Sequence, residues 1–83
     1  MTTRLRVAEI GPGMFSTESY VRFTGIEGDH ALFVDKSSVR DQDRTMEVEV
    51  VYTSEEQALI ELPRDTVSGY GRVQVPRSAL LSF

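Results

Sequence analysis

The chain has 83 residues, 40% of them apolar and 27% charged, with a formal net charge of −4 at pH 7. That is globular composition on the scale of one domain with a thin core. Cysteine is absent and histidine occurs once, which excludes disulfide staples, thiolate chemistry and a multi-histidine metal site.

The charge is unevenly spread. Residues 1–22 carry Arg4, Arg6 and Arg22 against Glu9 and Glu18. Residues 24–61 carry ten acids against Lys36, Arg40 and Arg44, and residues 62–83 carry Arg64, Arg72 and Arg77 against Asp65. An acidic middle repels phosphates, so nucleic acid is disfavoured as a partner. No apolar run reaches the ~18 residues of a membrane-spanning helix, so direct membrane insertion is not expected. Met1-Thr2-Thr3-Arg4-Leu5-Arg6 lacks the apolar stretch of a signal peptide.

Period-two alternation dominates the pattern. Arg4-Leu5-Arg6-Val7 reads as a half-buried strand, and Gly11-Pro12-Gly13 breaks it. Tyr20–Gly25 predicts the next strand, with Val21 and Phe23 on one face. Glu27-Gly28-Asp29 predicts a hairpin turn, and Ala31–Val34 the returning strand. Ser37–Asp43 is polar and reads as a loop. Met46, Val48, Val50 and Tyr52 then alternate with Glu47, Glu49 and Val51, the cleanest strand in the chain. Residues 54–62 fit either a short helix, capped by Ser54 with Gln57, or a hairpin turning at Ser54–Glu56. Pro63 leaves little room for a helix, which favours the hairpin. Ser68-Gly69-Tyr70-Gly71 predicts a turn and Arg72–Val75 a strand that Pro76 closes. Arg77–Leu81 predicts a short helical turn.

One internal echo is visible. Val34-Asp35-Lys36-Ser37-Ser38-Val39 parallels Val75-Pro76-Arg77-Ser78-Ala79-Leu80. Duplication or a shared strand-exit chemistry accounts for it, and six positions favour the second.

The chemistry-bearing residues read mostly as structural. His30 beside Asp29 is expected as an exposed turn histidine rather than a pH switch. Asp29, Asp35, Asp41 and Asp43 are oxygen donors of the kind calcium takes, but Asp41-Gln42-Asp43 lacks the glycine and terminal glutamate of a calcium loop. Glu47 and Glu49 share a wet strand face. No serine sits in a nucleophile elbow, and Ser68–Arg72 lacks the helix and lysine of a phosphate loop. No catalytic residue, metal or cofactor is assigned. Phe15 beside the glycine-proline turn, with Tyr70, Arg72 and Arg77, forms the candidate set of contacts to a protein partner.

Arg4 to Phe15, with its Gly11-Pro12-Gly13-Met14 turn, resembles the barrel region of periplasmic membrane fusion (adaptor) proteins of bacterial efflux pumps. Ala31–Val39 and Val75–Leu80 resemble the family's Val-Pro-[Lys/Arg]-Ser-Ala segment, with Asp35 in place of proline in the first. Ser16–Ser19 departs from the family's continuous strand. The resemblance implies a non-catalytic scaffold with partners in an envelope complex, and a periplasmic location where the missing signal alone points to the cytoplasm.

These readings predict a single all-β domain over residues 1–83. It is a small antiparallel, partly open barrel, SH3-like or adaptor-barrel-like, of five to six strands with a short C-terminal helical turn. Its expected core is Leu5, Val7, Val21, Phe23, Ala31, Phe33, Val48, Val50, Tyr52, Ile60, Leu62, Val73 and Val75. Val50→Asp is then expected to unfold it. The expected function is a non-catalytic binding or scaffold module, or alternatively a small-ligand or cation-binding barrel using the acidic loops.

Overall fold

The computed structural model describes residues 3–82, and over them the chain is all-β and antiparallel. The strands are β1 Thr3–Arg6, β2 Glu9–Pro12, β3 Glu18–Gly25, β4 Gly28–Asp35, β5 Val39–Arg40, β6 Thr45–Thr53, β7 Gln57–Glu61, β8 Arg72–Pro76 and β9 Leu80–Ser82. They exceed the expected five to six because β2, β5 and β9 are short strands on residues read as a turn, a loop and a helical turn. Single 3₁₀ turns at Lys36–Ser38 and Arg77–Ala79 lead into β5 and β9. One sheet has the order β8-β7-β6-β1-β9, with β5 also on β6, and the other is β2-β3-β4; neither closes into a barrel.

The hairpin reading of residues 54–62 is what the structure shows. Ser54 and Gln57 do bond each other, but across a turn: the Ser54 N–H donates to the Gln57 carbonyl at 2.8 Å, and the Gln57 N–H to the Ser54 hydroxyl at 3.3 Å. Capping-box spacing thus closes a hairpin, because only a few residues separate it from Pro63.

Leu5, Val7, Val21, Phe23, Val48, Ile60, Leu62, Val73 and Val75 are buried as expected. Four of the expected core residues are not. Ala31 and Phe33 are replaced by Leu32 and Val34, which are fully buried. The turn lies at Ile26–Glu27, with Gly25 opposite Gly28, and not at Glu27–Asp29. Shifting a turn by one residue moves every side chain of the returning strand to the other face. Tyr52 is 67% exposed and Val50 39%. A bulge at Val51, between the pairs Val50–Ile60 and Tyr52–Leu59, reverses the alternation, so Tyr52 falls on the outer face. Val50 keeps its inward direction opposite Ile60 but lies at the margin of the core. Met46 and Ala58 complete the core.

The internal echo extends through the whole fold. Leu5 pairs with Met46, and these two are flanked by Leu80 and Val39 respectively. Leu5 and Met46, Val39 and Leu80, and Val34 and Val75 each stand 41 positions apart. Hairpin β3–β4 leads through a 3₁₀ turn to β5, which pairs with β6. Hairpin β7–β8 leads through a 3₁₀ turn to β9, which pairs with β1. The two halves are therefore alike and exchange their last strands about the β1–β6 pair. In this correspondence β1 and β2 together match the long β6. Gly11 opposite Tyr20 and Pro12 opposite Ser19 match Tyr52 opposite Leu59 and Thr53 opposite Ala58.

The two sheets are joined where the β3–β4 turn meets β8. The Ile26 N–H donates to the Gln74 carbonyl at 2.9 Å. A Cβ on Gly25 would stand 2.9 Å from that same oxygen and 3.1 Å from the His30 ring. Gly25→Ala is therefore expected to cost about 1–3 kcal/mol by overpacking, read by chemical denaturation. Val50→Asp, contrary to the sequence expectation, is expected to keep a cooperative melt within about 1 kcal/mol of the parent. Ile60→Asp, at the fully buried position opposite, is expected to lose it.

Candidate functional site

The close approach of β3–β4 to β8 creates a cleft of ≈ 260 Å³ between the two sheets. Ile26, His30, Leu59, Tyr70 and Arg72 line it, with Glu27, Val73 and Gln74. His30 is not an exposed turn residue. It lies within β4 opposite Phe23, half-buried, because the one-residue shift of the turn brings it onto the inner face. Its ring centroid is 5.4 Å from Phe23 and 6.1 Å from Tyr70, the latter edge-on at 81°.

Tyr70 is held by the turn that the glycines mark. Thr66, itself buried, donates its N–H to the Tyr70 carbonyl at 2.8 Å, and its hydroxyl accepts the Tyr70 N–H at 3.0 Å. Gly69 takes a φ of 95°, which an L side chain rarely adopts. The Val67 N–H donates to the Ala31 carbonyl at 2.7 Å and so covers part of the β4 edge. Arg72 is anchored by Glu61 across the β7–β8 pair, with Nη2 at 2.9 Å from Oε1.

Of the four predicted contact residues, the structure brings Tyr70 and Arg72 together at this cleft. Phe15 is 65% exposed beside Met14 at the opposite end of β3. Arg77 lies elsewhere and is engaged in the fold. Its N–H donates to the Glu56 carbonyl at 2.9 Å and its Nη1 to the Ser54 carbonyl at 3.3 Å, holding the β6–β7 turn against the second 3₁₀ turn.

Three of the four acidic residues proposed for a cation, Asp29, Asp35 and Asp43, are engaged with the protein itself. Asp29 bonds Thr24 and pairs with Arg22, and Asp35 pairs with Arg64. Asp43 accepts from Thr45 and pairs with Arg40. Among the described residues, no three His, Cys, Asp or Glu side chains are placed to hold one ion. Arg64 ties the β7–β8 connection to the small sheet, contacting Glu18 at 2.6 Å and Asp35 at 2.9 Å. The Glu18 hydrogen bond, foremost, holds its guanidinium still more firmly in the charged form.

One polar cluster escaped the sequence reading. Arg4, read as the wet side of β1, is only 6% exposed. Its Nε donates to the Thr45 hydroxyl at 2.6 Å, and its Nη2 to the Thr45 and Ser38 carbonyls at 3.3 and 3.4 Å. The Thr45 hydroxyl in turn donates a hydrogen bond to Asp43 Oδ1 at 2.7 Å. Alternation along β1 gave no signal of this, since β5 and its 3₁₀ turn come from a distant part of the chain.

A second concavity of ≈ 690 Å³ opens along β6 and β7. Its lining combines Val48, Val50 and Leu62 with Glu47, Glu49 and Glu61. Glu49 and Glu61 stand directly opposite each other across the two strands, a like-charge pair that Arg72 relieves from one side.

No family model matches the chain, no curated protein matches it, and no solved structure matches it.

Thr45→Val removes the hydroxyl that accepts from Arg4 Nε, one of three acceptors around this buried guanidinium, and is expected to cost about 1.5–3 kcal/mol, measured by denaturant unfolding. The Thr45 hydrogen bond first, and the charges of Arg40 and Arg4, hold Asp43 below its ordinary 3.8 against opposing desolvation. A depressed carboxylate stabilises the fold above its unfolded pKa and loses that contribution as pH falls through the folded value. Asp43→Asn is therefore expected to flatten the acid limb of stability between neutral pH and pH ~2, with the difference from the parent vanishing at the acid end.

Proposed function

We propose that this protein is a non-catalytic β-scaffold module that binds another protein through apolar side chains left outside its core. The observation that carries this reading is where those side chains lie. Tyr70 and Ile26 both line the cleft between the sheets, Met14 and Phe15 form a second group, and Tyr52 stands exposed on the outer face of β6. Scattered single apolar residues are ordinary on any surface, whereas groups of them rimmed by charge mark contact sites. Tyrosine, methionine and arginine are also the side chains enriched at protein interfaces. Tyr70 with Arg72 supplies a ring anchor beside a fixed guanidinium.

The resemblance of Arg4–Phe15 and of the two Val-to-Leu/Val segments to membrane fusion proteins supports a scaffold role of the same kind, with a partner in an envelope pump complex. The small-ligand alternative draws its support from the cleft at His30, Tyr70 and Arg72.

Photo-crosslinking in the source cell separates these readings. A photoreactive residue replacing Phe15, Tyr52 or Tyr70, all exposed, is expected to join the chain to one discrete protein partner from at least one position. A chain that stays monomeric and joins no protein from any of the three overturns the proposal. The companion titration follows amide shifts with calcium at Asp29, Asp35, Asp41 and Asp43. Saturable shifts there turn the reading toward the cation alternative.

A further inference from the structure

We infer that the cleft between the β3–β4 hairpin and β8 binds a small, planar, uncharged ring compound that carries hydrogen-bonding groups, of the nicotinamide type. The inference goes beyond the protein-binding reading and gives the small-ligand alternative a place and a ligand class. Size sets the first limit. A volume of ≈ 260 Å³ lies at the small end of ligand pockets, with room for one ring system and not for a nucleotide or a peptide segment.

The fold builds a corner of two rings there. His30 and Tyr70 stand edge-on, with centroids 6.1 Å apart and planes at 81°. Phe23, fully buried, backs the His30 ring at 5.4 Å. Gly25 makes the space for it, since a Cβ there would lie 3.1 Å from the ring Cδ2 and 3.3 Å from Nε2. Tyr70 is fixed from its other side by the two bonds between its backbone and Thr66. Perpendicular rings offer a planar guest one face to stack on and one edge to meet. Ile26 and Leu59 add apolar wall.

Polar groups at this corner are not used by the fold. Among the described residues, no protein group hydrogen-bonds the His30 ring nitrogens, the Tyr70 hydroxyl or the Gln74 side-chain amide. Every fully buried polar side-chain atom among those residues is satisfied, so these three groups meet water at the cleft. A ligand with its own donor and acceptor replaces that water without losing hydrogen bonds. Charge narrows the class further. Arg72 spends its Nε and Nη2 on Glu61 Oε1, at 3.0 and 2.9 Å. Glu27 on the lining opposes an anion and Arg72 opposes a cation, so an ion would leave water for a place that does not repay it.

The test uses the full chain and three probes of nearly one shape: nicotinamide, its anionic analogue nicotinate and its cationic analogue 1-methylnicotinamide. Nicotinamide is expected to shift the amides of Leu59, Tyr70 and Gln74 and the ring resonances of His30, saturating at roughly 1–10 mM as suits so small a ligand. Each charged analogue is expected to bind about fivefold more weakly or worse. Tyr70→Ala leaves the backbone bonds to Thr66 in place and is expected to weaken nicotinamide about fivefold or more with the melt unchanged. His30→Phe keeps a ring without its nitrogens and is expected to weaken it about threefold. No saturable shift by about 30 mM, shifts centred elsewhere, a charged analogue that binds as well as nicotinamide, or unchanged binding by Tyr70→Ala each overturns the inference. Crosslinks from Phe15 and Tyr52 bear on the protein-binding reading alone, so the two stand or fall separately.

Discussion

The antiparallel pairing of β1 with β6 is the contact on which the rest of the structure depends. It sets Leu5 directly against Met46, both fully buried, and each receives a further aliphatic neighbour from a strand far away in the chain, Leu80 and Val39. Both flanking strands arrive by the same route, a hairpin followed by a single 3₁₀ turn. The consequence is that neither half of the chain completes its own sheet. Each is finished by the last strand of the other, and loss of the central pair would undo both. For a chain of 83 residues with no disulfide, such interlocking lets few apolar side chains serve as one continuous core.

The same crossing explains the buried polar cluster. Arg4 and Thr45 occupy equivalent places in the two halves and meet beside the central pair. A guanidinium taken out of water must find acceptors, and it finds the Thr45 hydroxyl and two carbonyls, with Asp43 one hydrogen bond further away. The surface ion pairs have a different task. Arg22 between Glu9 and Asp29, and Arg64 between Glu18 and Asp35, join neighbouring strands and a long connection in high dielectric. They set register and hold the connection down more than they stabilise.

Likeness of the halves also makes their differences informative. One half breaks its first strand into β1 and β2 and blunts the outer edge with Gly11 and Pro12; Tyr20 lies across the glycine. The other runs unbroken through β6, absorbs the curvature in a bulge at Val51, and carries five glutamates on its hairpin. Function on a near-symmetric scaffold is expected where the symmetry fails, because packing alone asks the same of both halves. The cleft at His30 and Tyr70 is another such place, formed where one hairpin tip reaches across to β8.

Local order was legible in the residues because strand alternation, glycine-proline turns and a helix too short to persist are local properties. The β6–β7 hairpin, the turn before Tyr70, the all-β class and nine of the core side chains follow from them. What the chain's order could not reveal was parity and encounter. A turn one residue earlier than it looked put Leu32, Val34 and His30 inside in place of Ala31 and Phe33, and one bulged residue turned Tyr52 outward. Parity of this kind is settled by which partner strand gives the better buried face, a sum over contacts far apart in sequence. The burial of Arg4 and the exchange of last strands were likewise decided only when the two halves packed, since each depends on residues some forty positions away.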